Sequence, residues 1–226
     1  GRTYDWAKDN LPYRLNNNLR WYANSNPSRL KVHDGVTVKV LQDKYIYISH
    51  NNNRTDHAGT LEAKGATFTA LDTTKTWSGI NIYRGARDHV FDSLTVLHTD
   101  RAFEVYGDQN PTIKNSTIRY AKHGVYVHDA GLDTRIHNNT FDKITNFPVR
   151  IRTLDLDSTF YANTYTNLDS AHSYIDVASD QGWAYTSGRT YDWAKDNLPY
   201  RLNNNLRWYA NSNPSRLKVH DGVTVK

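Results

Sequence analysis

The sequence predicts an all-β chain folded as a parallel β-solenoid, and three observations carry that prediction. A motif of hydrophobic residue, then Ser or Asn two positions on, then Thr two further on, starts at Phe91, Ile113 and Ile136. It places Ser93, Asn115 and Asn138 at one recurring position and Thr95, Thr117 and Thr140 at the next. A fourth copy at Phe160 keeps Thr164 but has Ala162 in the amide position, and the starts lie 22, 23 and 24 residues apart. In phase with it runs a second ladder of apolar pairs, Ile80 and Ile82, Phe103 and Val105, Val125 and Val127, Val149 and Ile151, at steps of 23, 22 and 24. Between the pairs lie turn-forming residues such as Arg84-Gly85, Gly107-Asp108-Gln109-Asn110-Pro111 and Ala130-Gly131.

Taken in chain order, the elements are short strands. Each apolar pair has period two, the mark of a strand with one buried face. A rung of about 23 residues without a helical stretch is too short for a strand–helix–strand crossover. It fits one coil of a solenoid, whose strands bond to the coils above and below and whose inward side chains stack in columns. The predicted core stack is therefore Ile80, Ile82, Phe103, Val105, Val125, Val127, Val149 and Ile151. The predicted structural ladder is Ser93, Asn115 and Asn138 with Thr95, Thr117, Thr140 and Thr164. Its two asparagines are expected to bond the tight turn and the amide of the next coil. Tyr45, Tyr47, Tyr83, Tyr106 and Tyr126 alternate with apolar residues, so some are expected to point outward.

A longer repeat overlies the short one. Residues 1–39 and 188–226 are the same string of 39 residues, exposed positions such as Lys8, Asn16 and Ser25 included. Fold alone would let such positions drift, so the identity implies a recent, homogenised or engineered duplication of a 187-residue unit, Gly188 minus Gly1. The chain reads as one complete unit, 1–187, followed by the start of the next, 188–226, continuous with the first. Dividing 187 by about 23 gives close to eight coils per unit, an axial advance of about 38 Å at roughly 4.8 Å per rung.

Composition narrows the function classes. Methionine is absent from all 226 positions and residue 1 is Gly, which reads as a processed or excerpted piece. Cysteine is also absent, so disulfides and thiolate metal sites are excluded. A surface array exposed to oxidants gains from lacking both. Extracellular or cell-surface residence is the expectation. No run approaches the roughly 18 apolar residues of a membrane span. The net charge of +5 is spread along the chain with no Lys/Arg block longer than two, unlike the clustered charge of nucleic-acid binders. Asn53, Asn115 and Asn138 head three N-x-S/T sequons and are candidate glycan acceptors. Ten His residues show no ligand spacing, so neither a metal nor a cofactor is expected.

The stretch Trp6 to Val40, with Pro12-Tyr13, Leu15, Leu19, Leu30-x-Val32 and Gly35-Val36-Thr37-Val38, resembles the opening coils of right-handed parallel β-helix repeat proteins. Trp77-x-Gly79-Ile80-x-Ile82, Ile113-x-Asn115 and His123-Gly124-Val125 are similar to their later coils. The resemblance implies a right-handed coil, the usual hand of parallel crossovers, and surface or secreted residence. That fold family includes pectate lyases and polygalacturonases. Lys122-His123-Gly124 and Arg150-Ile151-Arg152 are similar to segments of the latter. The paired carboxylates that inverting hydrolysis needs are missing, with only Asp100 and Asp108 nearby. A lyase needs clustered carboxylates for calcium with a basic residue beside them, and Asp129, Asp133, Asp155 and Asp157 with Arg135 are the residues from which such a group could be assembled.

The leading expectation is a structural segment of an extracellular filament or surface fibre, because an uncapped solenoid end invites a further coil. Its partners are further copies of itself along the axis, joined covalently or head to tail. The alternative is an adhesin holding polysaccharide or cell wall through outward aromatics. A polysaccharide lyase or hydrolase comes third.

Overall fold

The computed structural model describes residues 2–22, 26, 28–49, 59–83, 89–106, 111–128, 134–151, 160–177, 184–186, 190–203, 208–210 and 216–226. Among these, strand follows strand, every pairing is parallel, and the helical content is one 3-10 turn, Ser170–His172. The chain is a parallel β-solenoid, six turns of which run from Thr3–Trp6 to Phe160–Tyr161.

Each coil has three strand-bearing sides. The first side stacks Thr3–Trp6, Ser28–Val32, Gly59–Lys64, Val90–Asp92, Thr112–Lys114, Arg135–His137 and Phe160–Tyr161. The second begins with Tyr13–Leu15, Thr37–Val40 and Thr67–Ala70. The third begins with Leu19–Trp21, Tyr45–Ile48 and Gly79–Ile82. From Thr95 onward the strands Thr95–Val105, Thr117–Val127 and Thr140–Ile151 run across both, bending where His98, Tyr120 and Lys143 take positive φ. Tyr120 stacks flat on His98 at that bend, 5.0 Å between ring centres.

Coil length is uneven. Thr3 pairs with Arg29, Arg29 with Thr60 and Glu62 with Val90, so the early coils take 26, 31 and 28 residues. Val90 to Thr112, Thr112 to Arg135 and Ile136 to Phe160 take 22, 23 and 24. The seven strands of the first side thus bound six turns, and the count of eight coils per unit is too high. The reason is that wide turns such as 71–76 lengthen coils outside the regular stretch from which the period was read.

The core is a set of columns along the axis. Leu19, Ile46, Ile80, Phe103, Val125, Val149 and Ile175 stack in register, and Trp21, Ile48, Ile82, Val105, Val127, Ile151 and Val177 run beside them. Ile80, Ile82, Phe103, Val105, Val125, Val127, Val149 and Ile151 are all buried. Each such side chain contributes about 1.5–3 kcal/mol on leaving water. The Val38, Phe68, Val96, Ile118, Phe141, Tyr165 column fills the second side. Outside it, Thr37, Thr67, Thr95, Thr117, Thr140 and Thr164 form a threonine column, as suits β-branched side chains on a pleated, half-buried surface.

The backbone at position 79 requires glycine. Gly79 sits at φ +102° just beyond the buried Trp77, and a Cβ there would lie 1.5 Å from the Arg101 carbonyl oxygen. Two residues earlier, the Trp77 indole donates to the Leu97 carbonyl at 2.9 Å.

Candidate functional site

The corner between the first and second sides carries a buried polar ladder. Ser93, Asn115, Asn138 and Ala162 occupy it on successive coils with φ between 52° and 58°, the left-handed region that Asn tolerates best among ordinary residues. All four are exposed, and the Asn115 amide donates outward to Asp92 Oδ1 at 2.8 Å. The interior amide stack lies one residue later, which corrects the expectation placed on Ser93, Asn115 and Asn138. The left-handed corner aims its own side chain out and the next one in.

That next position reads Leu94, Ser116, Asn139 and Asn163. The Leu94 N–H donates to Ser116 Oγ, the Ser116 N–H to Asn139 Oδ1, and the Asn139 N–H to Asn163 Oδ1, each at 3.0 Å. Asn139 and Asn163 also donate through Nδ2 to the carbonyls of Ile113 and Ile136. Both are fully buried, so each bond satisfies a group that would otherwise cost about 1–3 kcal/mol. Asn53 lies outside the described residues.

The ladder ends on the second copy of the repeated string. Asn163 donates to Asp196 through its backbone N–H at 3.2 Å and its side chain at 3.4 Å, and Tyr165 donates its hydroxyl to Asp196 Oδ2. Asn197 donates back to the Asn163 carbonyl at 2.6 Å. Burial, followed by the Asp196 charge, pushes the Tyr165 hydroxyl well above its ordinary value, so it remains a donor. Beside this cluster Trp193 and Tyr200 stack at 5.0 Å, both buried, and Tyr200 donates to the Ala194 carbonyl. Strand Tyr200–Leu202 then pairs with Ile175–Val177 on the third side.

In the first copy the equivalent strand, Tyr13–Leu15, opens the second side by pairing Tyr13 with Val38. The second copy is therefore seated one side further round the coil. Within itself it keeps the register of the first: Thr190 pairs with Arg216 as Thr3 pairs with Arg29, and Tyr200 bridges Val225 as Tyr13 pairs with Val38.

A different group of side chains covers the third side facing out. Tyr47, Tyr83, Tyr106 and His128 follow one another along the axis with ring centres 5.6, 4.8 and 4.0 Å apart, the first two pairs tilted and the last stacked flat. Next to them Glu104, Tyr126, Arg150, Asp176 and Arg201 follow one another in register. Glu104 accepts from Arg101 at 2.6 Å, His128 at 2.8 Å and Tyr106 at 2.9 Å. Burial alone raises its carboxyl, but these hydrogen bonds and charges overcome that and hold it below the usual range. Burial, with the Glu104 hydrogen bond, pushes the Tyr106 hydroxyl up. Arg101 and Arg150 both face the Tyr126 ring, at 5.8 and 5.3 Å, and Arg150 Nε lies 3.0 Å from Asp176.

His123 and Arg150 do share this side. His123 is buried between the Arg101 and Phe147 positions, and burial pushes it down to about 4, with Asp100 opposing and Arg101, Lys122 and Arg150 adding to the shift. Asp100 lies 3.8 Å from both Arg101 and Lys122. The buried carboxylates Glu104 and Asp176 stand three rungs apart, about 14 Å at 4.8 Å per rung, beyond the separation of a glycosidase pair. Glu104 is moreover held ionised, the wrong state for a general acid. Asp108, Asp129, Asp133, Arg152, Asp155 and Asp157 lie outside the described residues.

Among the described residues no group of three His, Asp or Glu is placed to hold a metal ion, and no helix is long and apolar enough to cross a membrane. A family model, described as a right handed beta helix region, matches residues 24–186. No curated protein and no solved structure matches the chain.

Proposed function

Because the chain belongs to the right-handed beta helix family, we propose that it is a structural segment of an extracellular filament or surface fibre whose repeated units extend along one axis. The observation that carries this reading is the repeated string itself: one sequence folds twice with the same internal register, and the second copy continues the coil stack through Ile175–Val177. A solenoid lengthens without closing, so adding units adds length and little else. The absence of both Cys and Met supports placement in an oxidising exterior.

Electron microscopy of chains carrying one, two and three 187-residue units tests it. Each unit is expected to add roughly 35 Å, seven rungs at about 4.8 Å. Compact particles whose long dimension does not grow with unit number overturn the reading. Protease treatment of intact producing cells tests location, since a surface fibre is cleaved without lysis.

The tyrosine stripe favours a second reading, adhesion to polysaccharide. Tyr47 and Tyr106 are half-buried and Tyr83 is 38% exposed, a row of ring faces and edges spaced along the axis. Such rows can stack on sugar rings, each weakly, with avidity from repetition. Retention on insoluble polysaccharides that is lost in Tyr83→Ala supports adhesion, and failure to bind any of them removes it.

A further inference from the structure

We propose that the face formed by Asp9, Asn10, Leu11 and the Trp6–Tyr13 pair is a docking surface for the closing coil, residues 160–177, of another unit, received through Asn163 and Tyr165. The inference rests on the axial reading for its biological purpose, and it adds the chemistry by which one unit holds the next.

The molecule itself identifies the occupant. Asp9, Asn10 and Leu11 are Asp196, Asn197 and Leu198 in the second copy, and there they already hold a closing coil. Asp196 accepts three hydrogen bonds from Asn163 and Tyr165, and Asn197 donates one back. Identical residues present identical donors, acceptors and apolar surface, so what fits one copy fits the other.

The first copy is preformed for that occupant. Trp6 and Tyr13 stack at 5.0 Å and 11°, against 5.0 Å and 10° for Trp193 and Tyr200. Tyr13 donates to the Ala7 carbonyl at 3.0 Å, as Tyr200 does to Ala194 at 2.9 Å. The chain turns identically behind the pair, with Gly35 at φ +73° and Gly222 at +76°. What differs is cover. Leu11 is 77% exposed while Leu198 packs against the core, and Trp6 and Tyr13 are half-buried while Trp193 and Tyr200 are buried. A cavity of about 250 Å³ lies between the Asp9–Tyr13 turn and Gly35–Thr37.

Surface and occupant are different patches of one unit. Their contact is heterologous, so it propagates instead of closing into a dimer. Within one chain the 160–177 seat is filled by the chain's own second copy, which holds it at high effective concentration. The two copies are therefore competitors for one seat, and weakening only the second hands the seat to the first copy of another molecule.

The test uses the full chain with Trp193→Ala, Asp196→Ala and Leu198→Asp combined, which strips the second copy and leaves the first intact. Sedimentation velocity gives mass, and amide hydrogen exchange at Ile175–Val177 reports whether the seat is covered. The parent chain is expected to stay at one mass. The triple variant is expected to gain average mass by about twofold or more over a roughly tenfold rise in concentration, with exchange at Ile175–Val177 slowing in step. Adding Trp6→Ala and Asp9→Ala is expected to abolish both effects. An uncovered seat at constant monomer mass overturns the proposal. Association that survives loss of Trp6 and Asp9 also overturns it, since bare strand edges then suffice. A seat that stays covered in the triple variant overturns it too, because Trp193, Asp196 and Leu198 then do not hold the junction. Arrays that lengthen in the microscope while this test fails leave the axial reading standing and remove only the docking chemistry.

Discussion

The first 39 residues and the last 39 are one sequence in two settings, and the contrast isolates what neighbouring coils supply. At the leading edge the second copy is covered more deeply than the first: Trp193 and Tyr200 are buried where Trp6 and Tyr13 are half-buried, and Leu198 is partly buried where Leu11 is exposed. At the trailing edge the order reverses. Val32 and Val38 are 2% and 0% exposed under Gly59–Lys64 and Thr67–Ala70, while Val219 and Val225, which no strand covers among the described residues, are 47% and 43% exposed. Backbone register and turn geometry are the same in both. Local conformation thus belongs to the string, and burial belongs to the stack, as a nearest-neighbour account of repeat proteins requires.

Substituting one member of each pair at a time breaks the symmetry on purpose. The largest effect is expected from Trp193→Ala, which removes a buried indole at a cost of about 3–5 kcal/mol, against under about 1 kcal/mol for Trp6→Ala. Because the last segment can open without the rest, the measurement is amide exchange of Tyr200–Leu202 alongside denaturant unfolding.

Acid tests the coils that lie between the two copies. His123 is held neutral at about 4, below the ordinary 6.5, so as pH falls the unfolded chain takes up the proton first. Stability is expected to be full above pH 6.5 and to decline through the window down to pH 4, by about 3 kcal/mol. The Glu104 carboxyl, held low, is lost in the same direction at lower pH. Unfolding midpoints from pH 7 to 4 check this, and His123→Phe should flatten the slope while leaving the Trp193→Ala loss additive.

The trailing edge gives the mirror experiment. Val38→Ala is expected to cost about 2 kcal/mol and Val225→Ala almost nothing, read from urea midpoints. The smallest handle is the corner before Asn163. Ala162 holds φ +54° without the local hydrogen bonds Asn makes there, so Ala162→Asn should raise the melting temperature slightly, by about 0.5 kcal/mol equivalent.

The parts of this architecture that show in the sequence are those with a strict period. The pairs from Ile80–Ile82 to Val149–Ile151 alternate in and out, and turn residues separate them, so strands and columns could be read directly. The ladder was displaced by one because Asn115 and Asn138 are conspicuous for a different reason: they tolerate the left-handed corner, while Ser116, Asn139 and Asn163 carry the buried bonds. A residue following each tolerant corner was the available signal. Coil count failed where wide turns such as 71–76 break the period. Asp196 as the ladder's terminus left no local trace, since an Asp in Lys195-Asp196-Asn197 reads as solvated until a neighbouring coil arrives.

Tyr200 lying over Ile175, one side on from where Tyr13 begins, sets how an array would present itself to its surroundings. If every junction repeats that offset, each unit is turned by one side of a three-sided coil, and the stripe of Tyr83 and Tyr106 comes back to the same bearing only at the fourth unit. Such a rod has no permanent front or back. Its tyrosine stripe would face every direction in turn, as a strand does on a rope and not on a ribbon.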